Sequence, residues 1–197
     1  EDLAYMNRVH NGEEAFQVVK GALDCKMALS IDLIYGTPTM NHIKWKENLS
    51  IAFGLGIPHI SAYCLTVEPK TALDYKIKKG SVKPVLEDQS REQFSILMDE
   101  MNKNGYDQYE ISNFCKPNCF SKHNSSYWNG EKYLGLGPSA HSFDGKTRQW
   151  NVANNNTYSK ALNLGQCSFE IERLSIKDEY NEFIMIGLRT QSGVEKD

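Results

Sequence analysis

The chain has 197 residues, of which 40% are hydrophobic and 24% charged, the make-up of a globular protein with one sizeable domain or parts of two. A net charge of −3 gives no electrostatic footprint for nucleic acid. No apolar run is long enough to cross a bilayer, and no signal peptide is expected. No initiator Met opens the sequence and the amphipathic pattern begins in mid-fold, so a portion of a longer protein is expected. The five cysteines (Cys25, Cys64, Cys115, Cys119 and Cys167) are odd in number and scattered, which fits reduced thiols in the cytoplasm.

In chain order, Glu13–Lys26 reads as a helix with Ala15, Phe16, Val19, Ala22 and Leu23 on one face. Ala28–Tyr35 follows as a strand, apolar except for Ser30 and Asp32, as a parallel strand buried on both faces would be. After the break at Gly36-Thr-Pro38, Asn41–Leu55 is a second amphipathic helix and His59–Leu65 the next strand, completing a β-α-β unit. A short basic helix is expected at Thr71–Lys79. A longer one, with Ser90 and Gln93 as its capping box, runs to Asn104, and Tyr106–Ile111 is a third strand. Alternation of strands and helices marks an α/β barrel or open parallel sheet.

The texture changes after Asn113, where a soft boundary is placed. Residues 114–131 read as loop, and short strands at Tyr133–Leu136, Ala140–Phe143 and Arg148–Val152 form a small antiparallel extension. A helix at Tyr158–Leu164 and a last helix capped by Ser175-x-x-Asp178 complete it.

Asp32 lies in an otherwise apolar run near the carboxyl end of its strand, where parallel sheets and barrels bind ligands. It either accepts from ribose hydroxyls there or is a structural carboxylate bonded to a neighbour. Thr66 and Glu68 follow the next strand and Glu110 ends the third, so three parallel strands turn polar groups toward one rim. Arg8 and His10, ahead of the first helix, could reach that rim, with the Arg8 fork suited to a ligand carboxylate. His42 and His59 carry no assigned role.

His123 to Phe143 gathers two histidines, the Tyr127-Trp128 pair and a Gly-Leu-Gly-Pro turn. Such glycines serve a positive φ or a close backbone approach. Imidazole is a common ligand of metals and haem iron, so His123 and His141 are candidate ligands and Tyr127-Trp128 an apolar wall; packing accounts for the same residues. Cys115-x3-Cys119 would need one more Cys, three residues on, for a cluster triad. That position is Lys122, so the pair is assigned to a loop.

Several segments in order carry a family resemblance: Ser30-Ile-Asp-Leu-Ile-Tyr-Gly-Thr-Pro38, His59-Ile-Ser-Ala-Tyr63, Leu65-Thr-Val-Glu-Pro69, Gly105 to Phe114, His123-Asn-x-x-Tyr-Trp128, and Tyr133 to Ser142. Together they resemble the oxygen-independent coproporphyrinogen III oxidase-like family of radical S-adenosylmethionine (SAM) proteins. The His-Asn-x-x-Tyr-Trp element is similar to its haem chaperone-like HemW branch. The resemblance implies the second half of a partial (β/α) radical SAM barrel (1–113), followed by the start of a small α+β C-terminal domain (114–197). It assigns Arg8 to the SAM carboxylate, Asp32 to the ribose hydroxyls, Thr66 and His141 to the nucleoside, and His123, Tyr127 and Trp128 to haem, with His123 the candidate iron ligand. It places SAM and a [4Fe–4S] cluster in the parent protein, yet the cluster-binding C-x3-C-x2-C loop is missing here, so this chain alone should be inactive. Haem or a porphyrin, and a haem-acceptor protein, are the implied partners. Three functions stay open: a HemW-like haem chaperone, an oxygen-independent coproporphyrinogen III oxidase, and a stand-alone α/β binding module without a cluster. A barrel cut to a few strands should also self-associate through its exposed sheet edge.

Overall fold

The computed structural model describes residues 1–195, in two compact units: Glu1–Phe120, and a second from Ser121 onward. In the first unit, α1 (Asp2–Tyr5) precedes the amphipathic α2 (Gly12–Asp24). Asn11 caps α2 by accepting from Glu14 N–H, while the Glu14 carboxylate accepts from Asn11 N–H. Strand β1 (Ser30–Tyr35), helix α3 (His42–Gly54) and strand β2 (His59–Cys64) follow, the strands pairing in parallel from Ser30–His59 to Tyr35–Cys64. Helices α4 (Ala72–Lys78) and α5 (Glu87–Lys103) lead to β3 (Asp107–Gln108) and β4 (Asn113–Cys115). The sheet order is β1-β2-β4-β3, with β4 antiparallel to both neighbours.

Period-two alternation divides this sheet into two unlike faces. Tyr35, Ile60, Ala62 and Phe114 point one way and form the core with Trp45, Leu49 and Ala52 of α3 and Leu97 and Met101 of α5. Each large side chain so buried contributes about 1.5–3 kcal/mol. On the other face stand Ser30, Asp32, His59, Ser61, Asn113 and Cys115.

The second unit begins with α6 (Lys122–Trp128), capped by the Ser121 hydroxyl, which accepts from Asn124 N–H. Strands β5 (His141–Phe143) and β6 (Thr147–Asn151), helix α7 (Asn155–Asn163), strand β7 (Phe169–Arg173) and helix α8 (Ile176–Gly187) complete it, with an antiparallel sheet ordered β5-β6-β7. Arg148 of β6 grips the Glu182 carboxylate of α8 with both guanidinium nitrogens and lies over the Phe143 ring, 5.4 Å from its centre.

The α/β class and the β-α-β unit are as read from the sequence; several details differ. Ser30–Tyr35 is not buried on both faces: it is an end strand, exposed at Ser30 and Asp32. The third strand, read as Tyr106–Ile111, is an antiparallel hairpin, because Glu110 turns the chain by accepting from Ser112 N–H (3.0 Å) and from the Asn113 side-chain amide. Cys115, read as loop, is in β4. Residues 122–128, also read as loop, are helical, whereas Tyr133–Leu136 is no strand and pairs only through a bridge from Tyr133 to Phe143. Ser90 and Gln93 form no capping box: α5 starts at Glu87, and both lie inside it. α1 and β7 had no counterpart in the sequence reading.

One turn sets a pH dependence. Asp144, between β5 and β6, accepts from the backbone N–H groups of Lys146 (2.8 Å) and Thr147 (2.7 Å) and from the Thr147 hydroxyl (2.8 Å), bonds that pull its carboxyl down to about 2. A depressed carboxyl stabilises the fold fully above its unfolded value of about 4, and the contribution is lost as pH falls through the folded value. The Asp144 side-chain carbon should therefore titrate by NMR with a midpoint close to pH 2, and the Lys146 and Thr147 amides should move with it. A midpoint near pH 4 would mean that the turn does not hold the carboxylate.

Candidate functional site

The rim at the carboxyl ends of β1 and β2 is built by side-chain amides of α5. Gly36, at φ +86°, donates its N–H to Gln93 Oε1 at 2.7 Å, and Gln93 Nε2 donates to the Met40 carbonyl at 2.8 Å. Gln89 Nε2 donates to the carbonyls of Thr37 (2.9 Å) and Met40 (2.7 Å). On the other side, the Asp2 carboxylate accepts from the hydroxyls of Thr37 (2.7 Å) and Thr39 (2.5 Å). Leu65 N–H donates to the Tyr35 carbonyl at 2.8 Å, tying the next rim segment to the end of β1. A short, doubly clamped loop thus closes the strand that carries Asp32.

Asp32 itself is exposed, and its carboxylate has no hydrogen bond or ion pair among the described residues. Across the sheet it is in register with Ser61 of β2, and Ser61 with Asn113 of β4. One row further, Ser30, His59 and Cys115 are likewise in register. His59 is buried, with Nδ1 bonded to the Ser30 hydroxyl and Nε2 to the Tyr109 hydroxyl, both at 2.7 Å. Burial holds this imidazole below its ordinary value, against the opposing pull of Asp32, so a neutral ring bridges the two hydroxyls. Tyr109 in turn meets the edge of Phe120 at 5.0 Å. The polar face is therefore open at β1 and covered toward β4.

Arg8 and His10 are exposed in the segment between α1 and α2, and Thr66 and Glu68 are exposed after β2. Glu110, placed on the rim by the sequence reading, is instead buried in the β3–β4 turn and engaged there. The first unit thus brings Asp32 together with Ser61 and Asn113, neither of which the sequence singled out. The signal was the alternation of His59, Ser61 and Tyr63, legible only once the register with β1 is known.

In the second unit, His123 and Tyr127 are one helical turn apart on α6 and meet edge to face at 4.9 Å. Tyr127 continues to Tyr133 at 4.9 Å, and Tyr133 to Phe143 at 6.2 Å. The His123 ring is exposed at the end of this aromatic chain. Trp128 points elsewhere, into a cleft of about 440 Å³ that it lines with Phe143, Leu174, Glu179, Phe183 and Ile186. Tyr127 and Trp128 therefore do not make one flat wall, since successive helical residues diverge by roughly a quarter turn. His141, on β5, is exposed and stacks on its cross-strand partner Trp150 at 5.9 Å.

The glycines of the Gly-Leu-Gly-Pro segment have structural uses. A Cβ on Gly135 would lie 2.1 Å from the His141 carbonyl oxygen, and Gly137 has φ +106°. Burial pushes the Cys115 thiol up to about 11, which leaves it a poor thiolate. Among the described residues, no group of three or more His, Cys, Asp or Glu side chains is arranged to hold a metal ion. No helix of the described residues is long and apolar enough to cross a membrane.

No family model matches the chain. The heme chaperone HemW of Mycobacterium tuberculosis (strain H37Rv) is 32% identical to it over 98% of this chain and 50% of that protein. HemW of Bacillus subtilis is 33% identical over 98% of this chain and 52% of its own length. Among solved structures, the coproporphyrinogen III oxidase HemN of Escherichia coli, described as a radical SAM enzyme, superposes with a TM-score of 0.76 at 18% identity, over 95% of this chain and 46% of that one. The chain spans about half the length of the curated relatives it matches.

Proposed function

The chain belongs to the HemN-like radical SAM family, on its HemW branch, and from that premise we propose that it is part of a protein that binds SAM and a [4Fe–4S] cluster and handles haem for transfer. The observation that carries this reading is the match to heme chaperones along 98% of the chain. The open Asp32 carboxylate supports the SAM part, because two ribose hydroxyls are donors and need an acceptor. Arg8 and Thr66, exposed in the same unit, are proposed as further nucleotide contacts. Reducing electrons for SAM would come from a [4Fe–4S] cluster. The residues present do not fit it: Lys122 stands where a third cysteine is needed and Cys115 is held as a thiol, so its ligands are proposed to lie outside these 197 residues. The scattered free cysteines suit a cytoplasmic setting, which is part of the same proposal.

Haem, as cargo, would be held by the exposed His123 imidazole, with Tyr127 against the ring edge and Lys122, Lys132 and Asn124 as partners for its propionates. Titrating haemin into the full-length protein and a His123→Ala variant, and following the Soret band, tests this. The variant should lose the ligand-specific spectrum and bind more weakly. An unchanged spectrum and affinity would remove His123 as ligand and leave the oxidase function as the better account. For SAM, Asp32→Asn should weaken binding by roughly 1–3 kcal/mol, the range for disturbing a hydrogen bond to a charged group. Equal affinities by calorimetry would return Asp32 to a structural role.

A further inference from the structure

Two buried side-chain polar atoms have no partner among the described residues, Ser90 Oγ and Asn113 Oδ1. Ser90 is explained by packing, since its hydroxyl is where a side chain on Gly36 would lie, 2.7 Å from an added Cβ. Asn113 has no such explanation. It is 5% exposed and belongs to the sheet face opposite the helical core. Its amide orientation follows from chemistry: Glu110 Oε1 already accepts from Ser112 N–H, so the Asn113 atom facing it is the donor Nδ2, and the carbonyl oxygen is the atom left over. A buried acceptor left unmatched is costly, and native structures keep few of them.

Its place in the sheet suggests what it is for. Asp32, Ser61 and Asn113 are successive register partners on three neighbouring strands, a row about 10 Å long at the usual strand spacing. The row presents a carboxylate at its open end, a hydroxyl in the middle and a carbonyl oxygen at its covered end. Two acceptors flanking a hydroxyl attract N–H and O–H groups and turn away carboxylates. We propose that Asn113 is the inner acceptor of a ligand site on this face, its carbonyl oxygen receiving an N–H or O–H hydrogen from a ligand whose polar part reaches toward Asp32. The inference rests on the functional reading above for the role of Asp32, and adds a residue and a ligand chemistry to it. The donor comes either from the nucleoside held at Asp32 or from a pyrrolic substrate lying beside it.

The test uses the full-length protein and two probes in separate arms, S-adenosylhomocysteine and coproporphyrinogen III. Asn113→Leu should weaken one of them about five- to tenfold, the loss expected for one buried hydrogen bond, and that arm identifies the source of the donor. If the variant does not fold, the wild-type protein decides by itself: the Asn113 side-chain carbonyl carbon should shift by NMR on addition of the same probe. Unchanged affinity in both arms, an unmoved carbon, or a crystal structure with a probe bound and a fixed water on Oδ1 instead would overturn the proposal. Asp32→Asn separates the two ideas. If it weakens S-adenosylhomocysteine while Asn113→Leu affects neither probe, the nucleotide reading stands and this one falls. If it leaves S-adenosylhomocysteine binding unchanged while Asn113→Leu weakens coproporphyrinogen III, the nucleotide reading falls and the Asn113 site stands.

Discussion

Replacing Gln93 by Leu should lower the unfolding free energy of the first unit by about 2–3 kcal/mol while leaving its volume nearly unchanged. Gln93 is fully buried, and its side-chain amide oxygen ties helix α5 to the Gly36 N–H at 2.7 Å. Leu would strand that N–H in the core, at a cost of about 1–3 kcal/mol. The Met40 carbonyl would lose less, because Gln89 still donates to it at 2.7 Å. Gln93 also offers its backbone carbonyl to the Trp45 indole N–H at 2.9 Å, a bond that the substitution spares. The loss should therefore be local. Denaturant unfolding should show a lower midpoint with an unchanged slope, and hydrogen exchange should rise first at residues 36–40. A variant with the wild-type midpoint would show that the loop after β1 is held by Asp2 and Gln89 alone.

That clamp also shows where sequence reading stopped. The strand bearing Asp32 and its parallel partner were legible because Ser30–Tyr35 and His59–Cys64 are short runs carrying Ile and Tyr, bounded by Gly36 and Pro58. Ser90 and Gln93 were legible as residues but not as a clamp, since S-x-x-Q spacing in a helix start suggests capping and only the fold brings Gln93 to Gly36. The reversal at Glu110 was hidden because Tyr109-Glu-Ile-Ser-Asn113 contains neither Gly nor Pro, and a side chain makes the turn instead. Helix α6 carries no apolar stripe to announce it, only the Ser121 cap. For the candidate site, Asp32 and His123 were visible as chemical types in unusual company. Ser61 and Asn113 were not, because a small polar residue in a strand acquires meaning only from what is across from it.

Gly135→Ala should cost about 3 kcal/mol or more in the second unit, the upper range for forcing extra atoms into packed structure. An added Cβ would meet the His141 carbonyl oxygen at 2.1 Å, its carbonyl carbon at 2.7 Å and its nitrogen at 2.8 Å, all backbone atoms that no rotamer change can move. Those atoms belong to β5, which is paired to β6 through His141–Trp150. Relief would have to come from the 133–137 segment. Moving it would stretch the Gly135 N–H bond to the Ser142 hydroxyl at 3.0 Å and the bond from the Asn151 amide to the Gly137 carbonyl at 2.9 Å. Gly137→Ala is the matched control: its φ of +106° disfavours a side chain, but nothing lies within 4 Å of the added atom. Its cost should stay near the ~1–2 kcal/mol of a left-handed residue. The His141 ring should lose its stacking on Trp150 in the first variant and keep it in the second, which the indole and imidazole proton shifts would report. Equal unfolding midpoints for the two variants would mean that 133–137 yields freely, and that Gly135 is there for something other than the approach to His141.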